Sequence, residues 1–174
     1  METAQKGEGL IFLVGFMGCG KTTLGRKLAL TLNYPFLDLD HVLEAKAGMT
    51  IAEYFSVYGE DTFRKLESEV LKQTDYPERA VVSTGGGLPC FFDNMDWMNA
   101  HGQTVYIELS PKSLADRLQH QKAKRPLLRD KNDDELLAFI TEKLTERETF
   151  YKKASHISNG LSLTPKKVKD LLNL

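Results

Sequence analysis

Cysteine is scarce: the 174 residues include only Cys19 and Cys90. The two lie far apart and have no metal-ligand spacing, so neither a disulfide framework nor a thiolate metal site underlies the fold, and a reducing compartment is expected. His41, His101, His120 and His156 share no metal spacing either. No apolar run is long enough to span a bilayer. The first ten residues, METAQKGEGL, lack both an apolar core and the arginine-rich pattern of a targeting segment. A cytoplasmic protein without a membrane partner is therefore expected. A net charge of −1 creates no field that would gather nucleic acid, and no such partner is expected. Repeats and low-complexity linkers are also missing, so residues 1–174 read as one domain, expected to be a monomer.

What is present suits a soluble core. Hydrophobic residues make up 41% and charged residues 27%. The continuous apolar run LIFLVG, 10–15, reads as a strand buried on both faces. KTTLGRKLALTL, 21–32, has helical apolar spacing. YPFLDLD, 34–40, reads as a second strand and HVLEAKAG, 41–48, as a short helix. Residues 50–74 read as two helices broken near Gly59. AVVST, 80–84, and TVYIEL, 104–109, read as strands, and SPKSLADRLQ, 110–119, as a helix with proline in its first turn. A long helix at 133–154, a weak fifth strand at 155–159 and a closing helix at 164–174 complete the pattern. Strands alternating with helices imply an α/β fold of three layers, a five-stranded parallel sheet flanked by helices.

GFMGCGKTT, 15–23, lies between the first strand and the first helix. It fits G-x-x-x-x-G-K-[ST] with Gly15, Gly20, Lys21 and Thr22. Such a match arises by chance in roughly one chain of this length in 200. The glycines let backbone N–H groups of residues such as Gly18, Cys19, Gly20 and Thr23 turn toward phosphate oxygens, and the helix N-terminus adds positive partial charge. Lys21 is expected to reach the β- and γ-phosphates of ATP, and the Thr22 hydroxyl to ligate Mg²⁺. No later strand ends in a typical Walker B aspartate, and no NKxD string occurs. Both absences weigh against a GTPase switch or a motor ATPase.

Asp38 and Asp40 fall at the end of the second strand, where alternate side chains share a face. In a parallel sheet that end lies beside the phosphate loop. One carboxylate is expected in the Mg²⁺ shell and the other as acceptor of a hydroxyl proton. The structural alternative makes Asp40 the N-cap of the helix that follows.

GFMGCGKTT, FLDLD, FRKLE (63–67), STGGG (83–87), RPLL (125–128) and RETFY (147–151) occur in this order at fitting distances. Together they resemble the shikimate kinase family, over about residues 10–172. The resemblance implies the nucleoside-monophosphate-kinase fold and phosphorylation of the shikimate 3-hydroxyl by ATP, on the path to aromatic amino acids. It implies Asp40 as the base, Asp38 at the magnesium site, and Arg64 and Arg147 on the shikimate carboxylate. It also implies Glu67 orienting Arg64, backbone at Gly85, Gly86 and Gly87 against the acceptor, and Arg117 packing on adenine. The residues agree: Arg64 and Glu67 are three apart on a helix, and a guanidinium fork matches a carboxylate. Three glycines after a buried strand suggest close approach of the backbone to something.

Residues 111–129 carry six lysines and arginines against one acid, Asp116. This segment reads as a mobile lid, about 111–131, with Arg125 supplying charge to the transferring phosphoryl group. A lid also excludes the water that would hydrolyse ATP. An acceptor-binding segment is expected at about 41–74. Two rivals remain: another small-molecule kinase of this fold, such as a gluconate kinase, and a nucleotide-binding regulator without transferase activity.

Overall fold

The computed structural model describes residues 9–122, 125 and 127–174. Strand β1, Leu10–Val14, is buried along its whole length. A strand so buried needs neighbours on both edges and layers on both faces, and it has them. The sheet order is β2-β3-β1-β4-β5, with β2 at Phe36–Asp38, β3 at Ala80–Ser83, β4 at Gln103–Glu108 and β5 at His156–Asn159. Every pairing is parallel. This is the three-layer fold that the alternating pattern implied.

Helix α1, Lys21–Leu32, follows β1 directly and returns the chain toward β2. Helix α2 spans Leu39–Ala47, and α3 spans Ile51–Gln73. A capping box of Thr50 and Glu53 starts α3. The helix breaks at Gly59, whose φ of 81° and ψ of 174° are open only to glycine, so the break expected there is present. Helix α4, Asn94–His101, was not foreseen. Helices α5, Pro111–Gln119, α6, Asp133–Tyr151, and α7, Pro165–Leu171, complete the layers. A second capping box, Asn132 with Glu135, starts α6.

Two features correct the sequence reading. Asp40 is not on a strand: β2 ends at Asp38, and Asp40 lies in the first turn of α2. The helix cap is Asp38, whose Oδ1 accepts from the Asp40 N–H at 3.0 Å, rather than Asp40. Pro126 of the RPLL stretch, and Lys124 beside it, lie outside the described residues. No helix among the described residues is long and apolar enough to cross a membrane.

Candidate active site

The C-terminal ends of β1, β2 and β3 open onto a cavity of about 860 Å³. Strand order reverses about β1, so the loop leaving β1 sits where a parallel sheet leaves a crevice. Gly15, Gly18 and Gly20 have φ of 149°, 81° and 99°. At Gly15 space is also short, because a β-carbon would stand 2.9 Å from both Cys19 Sγ and the Ile107 carbonyl oxygen. Gly20 begins α1 without a side-chain cap, which leaves the first backbone N–H groups of the helix facing the cavity mouth.

Lys21 is buried, and its Nζ donates to Gly15 O at 2.7 Å and to Phe16 O at 3.1 Å. Cys19 is also buried, with Sγ 3.7 Å from the same ammonium. Only the backbone of Cys19 is therefore presented to a ligand. Its carbonyl accepts from Arg117 Nη1 at 3.2 Å, which ties α5 to the loop. Thr22 and Thr23 are exposed on the cavity side.

Asp38, Asp40, Arg117 and Arg125 line the same cavity as Lys21 and Thr22. Asp40 is held above the ordinary carboxylate range. Burial is the main cause and the charge of Asp38 adds to it, while Lys21 pulls the other way. Arg125 hydrogen-bonds Gln121 at 3.4 Å, and Leu128 beyond it is fully buried. The far end of the cavity is closed by Gly160, Leu163, Thr164 and Pro165, between β5 and α7. No motif marked this loop, and the packing of α7 against α1 brings it to the cavity.

Arg64, Gly87 and Arg147 are not on the lining of this cavity, although Gly85 and Gly86 are. Arg64 is 9% exposed; its Nη1 donates to Glu67 Oε1 at 2.9 Å, and its guanidinium lies 4.2 Å from the centre of the Phe91 ring. Its Nε has no hydrogen-bond partner among the described residues, and Glu60 Oε1 lies 3.7 Å from it. Arg147 lies over the Phe16 ring at 5.6 Å. The glycine run brings these groups together. A β-carbon on Gly85 would meet Asp40 and Glu67, one on Gly86 would come 3.7 Å from Arg147 Nη1, and one on Gly87 would collide with Arg64. Gly85 and Gly87 thus admit the protein's own charged side chains, while Gly86 admits the backbone of the phosphate loop, where its β-carbon would stand 3.1 Å from Met17 N. Tyr151, fully buried and stacked on Tyr106, donates its hydroxyl to the Gly86 carbonyl and fixes this run from behind. Burial holds that phenol well above its ordinary range.

Among the described residues no cluster of three histidine, cysteine or carboxylate groups could hold a metal. Asp38 Oδ1 is engaged as a helix cap, while Oδ2 lies 3.8 Å from exposed His41. Together with the Thr22 hydroxyl it offers hard oxygen donors, the chemistry Mg²⁺ prefers when phosphate and water complete its shell.

The central parallel sheet and the glycine loop at its crevice define a P-loop protein of the small-molecule kinase class. The shikimate kinase family profile matches residues 17–172. A shikimate kinase from Bacteroides fragilis is 50% identical over 147 residues, covering 84% of this chain and 82% of its own. The crystal structure of shikimate kinase from Bacteroides thetaiotaomicron superposes with a TM-score of 0.90 at 42% identity, over 95% of this chain and 99% of that one. One from Acinetobacter baumannii, in complex with shikimate, gives 0.80 at 33% identity, over 96% of this chain and 92% of that one. A gluconokinase from Sinorhizobium meliloti, at 18% identity and 0.58, shares the fold alone. The chain belongs to the shikimate kinase family.

Proposed function

We infer that this chain transfers the γ-phosphoryl group of ATP to the 3-hydroxyl of shikimate, giving shikimate 3-phosphate and ADP. Membership of the family supports this reading. The observation that carries it to the acceptor is the buried Arg64 with its orphaned Nε. A buried donor without a partner is costly, and an anionic ligand is the natural remedy.

ATP lies with its phosphates on residues 18–23 and its base between Arg117 and the loop 160–165. Thr22 and Asp38 would hold Mg²⁺, which would neutralise phosphate charge when bound. Arg64 and Arg147 take the acceptor carboxylate, with backbone at Gly86 and Gly87 close by. Asp40 takes the proton of the 3-hydroxyl, for which a carboxylate held above its ordinary range is a better base. The new O–P bond forms in line as the bond from γ-phosphorus to the ADP oxygen breaks. Lys21 and Arg125 stabilise the charge that spreads over the transferring oxygens. Residues 41–74 form the acceptor-binding segment and residues 111–131 the lid. The protein works as a cytoplasmic monomer.

The deciding experiment measures ADP release with shikimate, with gluconate and with no acceptor. Release that depends on shikimate supports the reading. Release that depends on gluconate transfers the chain to another kinase of this fold. Nucleotide binding without acceptor-dependent release makes it a regulator.

A further inference from the structure

Glu67 joins the two halves of the site. Its Oε1 accepts from Arg64 Nη1 at 2.9 Å. Its Oε2 faces Gly85, where a β-carbon would stand 3.1 Å from it and 3.0 Å from Asp40 Oδ1. The two carboxylates are therefore no more than roughly 6 Å apart, close enough for each charge to disfavour the other. Glu67 is only 4% exposed. The charged or titratable groups facing it are Arg64 on its own helix, Asp40 from α2, Arg147 from α6 and Cys90 from the turn after β3.

We propose that Glu67 takes up a proton from solvent when the acceptor's carboxylate binds, so that acceptor binding is coupled to protonation of a residue that takes no part in the transfer itself. The proposal rests on the reading of Arg64 as part of the carboxylate clamp. Two changes at binding act in the same direction. The incoming anion draws on the Arg64 guanidinium charge, which now favours the charged form of Glu67. It also adds negative charge beside a carboxylate that already faces Asp40. Both raise the proton affinity of Glu67.

The group is poised for this. Burial pushes it up to about 7, Arg64 and Arg147 draw it down, and Asp40 adds to the rise. Near neutral pH it is thus about half protonated before the acceptor arrives. Once protonated it no longer competes as an anion for Arg64, and a neutral acid costs far less to keep buried than a carboxylate. Glu67 is in this sense a positioning residue that hands Arg64 to the substrate.

The test is calorimetric titration of the whole protein with shikimate at pH 7, in buffers of different ionisation enthalpy. The dependence of the apparent heat on the buffer counts protons. Wild type is expected to take up as much as about half a proton per site, and Glu67→Gln close to none. If binding raises the proton affinity by one unit, wild-type affinity for shikimate falls by up to about tenfold between pH 6 and pH 9. Wild type that binds shikimate with no buffer dependence overturns the proposal and leaves the clamp standing. Undiminished uptake in folded Glu67→Gln overturns it as well. A folded wild type that does not bind shikimate overturns the clamp itself. If the variant does not fold, the wild-type infrared difference spectrum decides. Binding must convert a carboxylate band to a protonated-carboxyl band, and its failure to do so refutes the proposal.

Discussion

A β-carbon on Gly87 would stand 2.5 Å from Nη1 of Arg64. The backbone of Gly87 is right-handed, with φ −88° and ψ −16°, so its conformation does not demand glycine. The demand is for space, made by one functional side chain. Arg64 cannot give way freely, because Glu67 and the Phe91 ring hold it.

Gly87→Ala is therefore expected to keep the fold and displace Arg64. Losing one charge-assisted bond of about 1.5 kcal/mol raises the KM for shikimate about tenfold. The KM for ATP should stay put. Steady-state kinetics with each substrate varied in turn checks this, and a normal shikimate KM would show that Arg64 has room to move.

Lys21, the first residue of α1, rests its ammonium on two carbonyl oxygens of the loop. Lys21→Ala is expected to fold, with turnover lowered on the order of 100-fold or more. Stability should drop by about 1–3 kcal/mol as those oxygens lose their donor. Coupled ADP assays and thermal melts measure the two effects separately. Near-normal turnover in a folded variant would remove the loop lysine from the mechanism.

Strands β1, β3 and β4 were legible because a strand buried on both faces reads as a continuous apolar run. β5 read as weak because only alternate residues of HISN are partly covered at the sheet edge. Helix α4 was hidden: NMDWMNAH has little apolar periodicity, and Asp93 makes no side-chain cap bond. The loop and the acid pair were readable as motifs, but the junction between strand and helix was not. Sequence does not reveal that Asp38 stops the strand early by capping α2. Residues 160–165 carry no local signal, since tertiary packing alone brings them to the site, and the RETFY motif does not reveal that Tyr151 bonds the Gly86 carbonyl.

Glu67 also predicts a pH dependence of stability. Its folded value of about 7 lies above the ordinary 4.5, chiefly through burial. Between those values the folded chain keeps a proton that the unfolded chain releases. The stability from this group is thus full below about 4.5 and is lost as pH rises to about 7. Glu67→Gln cannot titrate. Wild-type stability minus that of the variant should fall from pH 5 to pH 7 and then level off. Urea unfolding of both proteins at pH 5, 6, 7 and 8 measures the difference, and a flat difference would contradict the raised value.

The carboxylate clamp makes the sharpest claim about the acceptor. Arg64 and Arg147 approach consecutive glycines at one end of the site, while Asp40 and Lys21 line the cavity in front. An acceptor held by its carboxylate at the back presents its hydroxyl at the front. Losing one arginine should cost about 1.5–3 kcal/mol, or roughly a ten- to hundred-fold loss of acceptor affinity. The methyl ester of shikimate keeps every hydroxyl and loses the charge. It should be a poor acceptor for wild type, and Arg64→Ala should discriminate less between acid and ester. Arg64→Lys should rescue only partly, because an ammonium cannot present two parallel donors. Four assays decide: wild type and Arg64→Ala, each with acid and ester. A mutant that kept the full preference for the acid would place the carboxylate elsewhere. A wild type that used the ester as readily as the acid would leave the buried arginines without a substrate role, and a neutral polyol would become the better acceptor.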